Sequence, residues 1–182
     1  PTCIRREAPG RILRVTMPNK PTRFNMVVGV DVKYIKDAKN AKIPCLNILD
    51  MATGFNVFVP MPNRESKTIA TTFKWAWLNW ASSPDKIVCD QGREFFGEFQ
   101  QVQQMLGTKF RMIPTEAPWQ QAKIERHGAV LGDITRMGVE EMSVQGEEEM
   151  KLLMHYAAMV KNRRVARSGY SPRERVFGVP DR

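Results

Sequence analysis

Apolar and polar positions alternate along MVVGVDVKYI, residues 26–35: Met26, Val28, Val30 and Val32 fall on one side of an extended chain, and Val27, Gly29, Asp31 and Lys33 on the other. β-Branched residues in a period of two predict a central strand, and this one carries a carboxylate. CLNILDMATGFNVFVPM, residues 45–61, reads as two further strands meeting at Ala52-Thr53-Gly54, with Pro60 and Pro62 closing the second. The period then changes. Ile69, Phe73, Ala76, Trp77 and Trp80 recur at helical spacing, which predicts an amphipathic helix over residues 65–80 with Trp77 and Trp80 turned to the sheet. Trp75 and Leu78 fall on a different face, where exposure suits a subunit contact and partial burial is the competing reading.

The short apolar run Ile87-Val88-Cys89 has the length of a buried strand and ends on Asp90. Phe95, Phe99, Val102 and Leu106 then make the stripe of a second helix, with Gly107 as its C-cap. KFRMI, residues 109–113, is a short strand, and residues 114–118 a loop. A third helix is expected over 120–137 and a fourth over 147–164, with Met150, Leu153, Met154, Ala157 and Val160 as the buried stripe of the fourth. Glu147, Glu148 and Glu149 at its start and Lys161, Arg163 and Arg164 at its end complement the helix dipole.

With 182 residues and 42% hydrophobic content, the chain suits one well-filled domain. No apolar run approaches the roughly 18 residues of a membrane span, and the amino terminus lacks the order of a signal peptide, so a soluble, non-secreted protein without membrane partners is expected. Cys3, Cys45 and Cys89 are too few and too scattered for a disulfide framework. His127 and His155 are the only histidines, which removes a histidine-based metal site or triad.

Charge adds a second layer once it is located. The net +9 sits at the ends: six bases against one acid in residues 1–25, seven against two in 161–182, and fifteen against sixteen between. Cationic arms on a neutral core suit a polyanion, because each Lys or Arg on a phosphate releases counterions; solvation of the arms is the competing reading. The division that follows is a basic lead-in at 1–23, a core at 24–164 and a basic extension at 165–182.

Asp31 and Asp90 lie on separate strands, and Glu125 lies in the first turns of the helix after IPTEAPWQQAKIERHG. Ligands of a mixed α/β sheet gather outside its strand ends, so these three acids can converge. Clustered carboxylates repel one another unless they bind a hard cation such as Mg²⁺. Two competing readings stand beside this one: Asp90 caps the second helix, and Glu125 is a solvated helix acid. Asp50 also ends an apolar run, and there a turn is the expected role.

VVGVDVKYI, ILDMATGF, IVCDQGREF and PWQQAKIERHG together resemble the catalytic core of retroviral-type integrases as carried by long-terminal-repeat retrotransposons. NRRVARSGYSPRERVFG resembles the segment that follows that core. The resemblance implies an α/β, RNase H-like fold with a mixed five-stranded sheet flanked by helices. It implies 3′-end processing and DNA strand transfer by Asp31, Asp90 and Glu125 with two Mg²⁺ (or Mn²⁺) ions, Asp31 shared by both. It implies DNA partners at element ends and target, a homodimer or higher oligomer, and work in a nucleus or virus-like particle. Trp119, Gln121, Lys123 and Arg126 around Glu125, with Arg163, Arg164 and Arg167 in the arm, are the candidate DNA contacts; ordinary surface roles compete. An RNase H-like nuclease and a domesticated or inactive DNA-binding module are the alternative functions.

The match has departures. Thirty-four residues separate Asp90 from Glu125 where retroviral members usually have thirty-five, Ala122 replaces a family glycine, and Gln91 follows the second acid. Ala129 and Gly132 stand where several relatives carry DNA-binding lysines. Cys3 would end a zinc-binding Cys-x-x-Cys only if a cysteine preceded Pro1 in the parent protein.

Overall fold

A computed structural model of the protein describes residues 20–113, 118–166 and 169–179, with the side chains of 118–120 excepted. Cys3, Arg167 and nearly all of the basic lead-in fall outside the described residues. Five strands form one sheet in the order β3-β2-β1-β4-β5. β1 (Val27–Lys36) is antiparallel to β2 (Lys42–Asp50), which is antiparallel to β3 (Asn56–Pro60). On its other side β1 is parallel to β4 (Lys86–Cys89), and β4 to β5 (Lys109–Met112). The expected mixed five-stranded sheet is therefore present, with β1 central.

The period-two pattern sorts the core onto two faces. Val28, Val30, Leu46 and Ile48 meet Phe73, Trp77, Phe95 and Phe99 on one side, under α1 (Ser66–Phe73) and α3 (Glu98–Met105). On the other, Ile35, Cys45 and Phe58 meet Leu131, Met150, Leu153 and Met154 of α4 (Pro118–Met142) and α5 (Gly146–Arg163). No described helix is long and apolar enough to cross a membrane.

Several side chains depart from expectation, each for a local reason. After α1 the chain passes through a wider π turn at Lys74–Leu78 before α2 (Asn79–Ala81). The wider turn advances the register, so Trp77 is fully buried while Trp80 turns outward, 42% exposed. Trp80 does not face the sheet; its ring stacks on Phe24 and Phe177, and its Nε1 donates to Ala76 O at 2.8 Å. Leu106 is exposed because α3 has already ended there, and Gly107 (φ +76°) turns the chain away as a C-cap does. In α5 the stripe Met150, Met154 and Ala157 continues to Lys161, eleven positions along, so Val160 points outward.

α4 is longer than expected at both ends. It runs past Met137 because Gly138 lies against Leu153 of α5, where a Cβ would stand 2.4 Å from Leu153 Cδ1. The basic extension contains structure as well. α6 (Pro172–Phe177) opens with a capping box between Ser171 and Glu174, and Phe177 packs edge-on against Phe55.

Candidate active site

Asp31 sits mid-strand in β1, on the face that α4 covers. Asp90 follows the last residue of β4, and because Val30 pairs with Cys89 in parallel register, Asp31 and Asp90 come next on adjoining strands. Glu125 is brought down by its neighbour: Ile124 packs onto Gly29, where a Cβ would lie 2.6 Å from Ile124 Cγ1. Only a glycine in β1 lets α4 approach so closely. Asp31, Asp90 and Glu125 then line a single cleft together with Val30, Ile113, Gln121 and Ile124. Its free volume is about 10 Å³, the scale of one water or ion.

Asp31 carries the electrostatic strain of the site. Burial pushes its carboxyl above the ordinary carboxylate range; the Lys33 ammonium opposes the shift, and the charges of Asp90 and Glu125 add to it. Lys33 Nζ stands 3.3 Å from Asp31 Oδ2. Asp90 Oδ1 accepts from Gly92 N at 3.0 Å. That bond makes a local turn, while the N-cap of α3 is Gly97, so Asp90 caps no α-helix. Asp50 takes the turn role expected of it, accepting from the backbone N and the hydroxyl of Thr53 at 2.7 and 2.6 Å.

The flanking candidates divide. Gln121 lines the cleft and Arg126 is exposed beside it. Lys123 is not a surface cation: its ammonium donates to Met51 O at 2.6 Å, and burial lowers its proton affinity. Arg163 and Arg164 are exposed at the end of α5. The Trp119 side chain and all of Arg167 lie outside the described residues. His127 is buried toward a neutral state, its pKa pushed down to about 3 by desolvation and by Lys161, Lys123 and Arg126.

Sequence reasoning passed over two groups. Glu94 lies close by: a Cβ on Gly92 would meet its carboxylate at 2.8 Å and Asp90 Oδ1 at 2.9 Å, so the glycine lets two acids share one turn. Arg64 faces Glu94 at 3.7 Å. The signal for Glu94 was its place four residues after Asp90. Lys33 was placed on the correct strand face, but nothing local tied it to Asp31.

The fold is what known proteins share with the chain. The model of the integrase core domain matches residues 21–118. The chain belongs to the integrase core domain family. No curated protein matches it. Among solved structures it resembles a chain of the simian T-cell lymphotropic virus intasome in complex with PP2A regulatory subunit B56 gamma, with TM-score 0.76 and 15% identity, covering 86% of this chain and 56% of that one. The HTLV-2 integrase catalytic core domain in complex with magnesium, trimeric form, gives TM-score 0.69 at 16% identity, over 84% of this chain and 97% of that one. The BIV integrase catalytic core gives 0.66 at 15%, over 82% and 92%. The chain thus spans little more than half of the intasome chain and nearly all of the isolated cores. At these identities the likeness is one of fold, and the fold is the RNase H-like one of retroviral integrase cores.

The donor set suits a hard divalent cation: carboxylate oxygens around a space of ionic size, with the Lys33 ammonium as the counter-charge on Asp31. Among the described residues no three His, Cys, Asp or Glu side chains are gathered tightly enough to hold one ion. The acids face one cleft without closing on a common point, and Lys33 holds one of them.

Proposed function

We propose that the chain is the catalytic core of an integrase that processes 3′ DNA ends and joins them to target DNA, for a retrotransposon or retrovirus-like element. The observation that carries this is the convergence of Asp31, Asp90 and Glu125 on one cleft within an integrase core fold. Polynucleotidyl transfer is the capacity of that family; the two steps and their DNA ends are the finer reading. Asp31, Asp90 and Glu125 would hold two Mg²⁺ or Mn²⁺ ions, with Asp31 shared. Bound there, such ions would supply Lewis-acid activation of a water or 3′-hydroxyl and charge stabilisation for the leaving oxygen of a phosphodiester.

The protein's own part is positional. β1 and β4 hold two carboxylates at the sheet's centre, α4 brings the third, and Gln121 borders the space where a phosphodiester enters. No general-base side chain is required in this reading. Arg126, Arg163 and Arg164 supply phosphate contacts in this reading.

Self-association belongs to the same reading. Leu152, Tyr156, Met159 and Val160 form an exposed apolar stripe on α5, and Trp75 lies beside it, with Lys151 Nζ 6.0 Å from its ring centre. A stripe of this kind, rimmed by charge, marks an interface. The HTLV-2 core is described in dimeric and trimeric forms, which supports the inference.

The test is a joining assay with a 3′-ended oligonucleotide and plasmid in Mg²⁺ or Mn²⁺. Joined product that disappears in Asp90→Asn supports the function. Joining that survives in Asp90→Asn refutes the catalytic assignment. Sedimentation of wild type and Leu152→Asp tests the stripe, the variant being expected to dissociate.

A further inference from the structure

The acid cleft has a neighbour. Beyond Lys33, between the end of β1 and the middle of α4, the surface opens into a trough of about 490 Å³ whose walls include Lys33, Lys36, Gly128, Ala129, Gly132 and Arg136. Three of these are cations, three carry at most a methyl group, and no acid lines the trough. Arg136 is held over it by Asp133 on its own helix. Small residues along one face of α4 keep the trough open, and cations around an open groove suit a phosphodiester backbone.

Lys33 belongs to both places. Its ammonium is on Asp31, yet it also lines the trough. Its stem crosses α4 at Gly128, where a Cβ would stand 2.3 Å from Lys33 Cε. The glycine is thus the gap through which the lysine reaches the acid. A divalent cation on Asp31 and an ammonium on the same carboxylate repel each other, so one displaces the other. The adjoining trough gives the ammonium a solvated place to go, and a phosphate there gives it a partner.

We propose that Lys33 is a tethered counter-ion of the acid cleft, which holds Asp31 until a divalent cation binds and then turns into the trough to meet a DNA phosphate. Metal binding and strand binding are thereby coupled through one side chain. The inference rests on the function proposed above. Linkage makes the coupling reciprocal: DNA in the trough raises metal affinity by the factor by which metal raises DNA affinity.

The experiment measures Mn²⁺ binding from the paramagnetic resonance signal of the free ion, with and without a short duplex of arbitrary sequence. Lys33→Met keeps the volume of the stem while removing the charge. Lys36→Met makes the same charge change away from Asp31. Without DNA, Lys33→Met should bind Mn²⁺ about tenfold more tightly than wild type, and Lys36→Met within about twofold of it. The duplex should raise the affinity of wild type by about tenfold and that of Lys33→Met by less than about twofold. The proposal falls if Lys33→Met binds no more tightly than wild type, if Lys36→Met tightens binding equally, or if the duplex helps both proteins alike. In each of those cases loss of the site in Asp31→Asn leaves the cleft assignment standing. Saturable binding that survives Asp31→Asn, or none in any of the proteins, overturns the cleft assignment and the proposal together.

Discussion

Adding one methyl group to Gly132 and one to Gly128, a turn apart on the same face of α4, should move stability in opposite directions. Alanine is favoured over glycine in a helix interior by about 1 kcal/mol at either position. At Gly132 the new Cβ would lie 3.5 Å from Ile35 Cδ1, an ordinary contact. Gly132→Ala should therefore stabilise by about 1 kcal/mol, or ~2–4 °C in a domain of this size. At Gly128 the Cβ would lie 2.3 Å from Lys33 Cε and 2.9 Å from Asn47 Nδ2. Lys33 can swing aside, at the loss of its pairing with Asp31. Asn47 cannot: it is fully buried and accepts from Asn56 Nδ2 at 2.7 Å. Overpacking of such a site costs about 1–3 kcal/mol, which outweighs the helical gain and leaves Gly128→Ala neutral to about 2 kcal/mol destabilised. Thermal and urea melts of both variants check the difference. A Gly128→Ala protein stabilised as much as Gly132→Ala would refute the close crossing of Lys33 and α4, and with it the geometry on which the tethered lysine depends.

Three other outcomes are expected. Asp90→Asn should abolish joining while leaving the metal-free melting temperature unchanged or slightly raised, since Asn can still accept from Gly92 N and one repelling charge is gone; a melt lowered by more than about 1 kcal/mol equivalent would make Asp90 chiefly structural. Stability should climb with pH above neutrality. Burial, with Lys123 nearby, lowers Lys161 from 10.5 to about 7, so between those values the unfolded chain binds a proton that the folded chain does not. The climb is at most about 1.4 kcal/mol per pH unit, and Lys161→Met should flatten it in melts taken across that window. Asn162→Leu should cost about 2–4 kcal/mol in urea unfolding, because Asn162 accepts from Asn56 N at 2.9 Å and donates to Asn56 O at 2.7 Å, and both buried groups would be left unpaired.

Strands were the most legible part of the chain. In β1 the alternation of Val28, Val30 and Val32 against Val27, Gly29 and Asp31 placed each side chain on its observed face, because a period of two leaves no ambiguity once one face is buried. The hairpin at Ala52-Thr53-Gly54 was legible for the same kind of reason, a short connection with a turn acid ahead of it. Helical faces were less so, since they depend on a register that one irregular turn can shift. The π turn at Lys74–Leu78 has no marker in its residues, and it lies between the helix start and the outward Trp80. In α5 an apolar Val160 outranked Lys161 on composition, although geometry buries the lysine, whose ammonium donates to Gly54 O at 2.8 Å. By position that lysine belongs to the cationic arm of residues 161–182. Position along the chain located the basic residues, but not which of them meet solvent.

The acids of the cleft were legible because each sits where a local element dictates: mid-strand, strand end, first turns of a helix. What surrounds them was not, and the reason is the sequence separation of the contacts. Gly29 and Ile124, Gly128 and Lys33, Met51 and Lys123 are each matched across some seventy to one hundred residues, and each match is between a small or backbone group and a large side chain. A glycine in a helix reads locally as a weak point. Gly128 is better understood as the complement of Lys33, since the same missing side chain admits the lysine stem and holds α4, with Glu125 one turn before it, at its distance from β1. Replacing either member alters the other's fit, so the cleft's charge balance and its shape are not independent properties. In the proposed site, a lysine two residues after Asp31 would ordinarily weaken cation binding by repulsion. Here the strand places it on the same face as the acid and the helix leaves a passage for it, and the protein thereby keeps a buried carboxylate paired in the absence of metal.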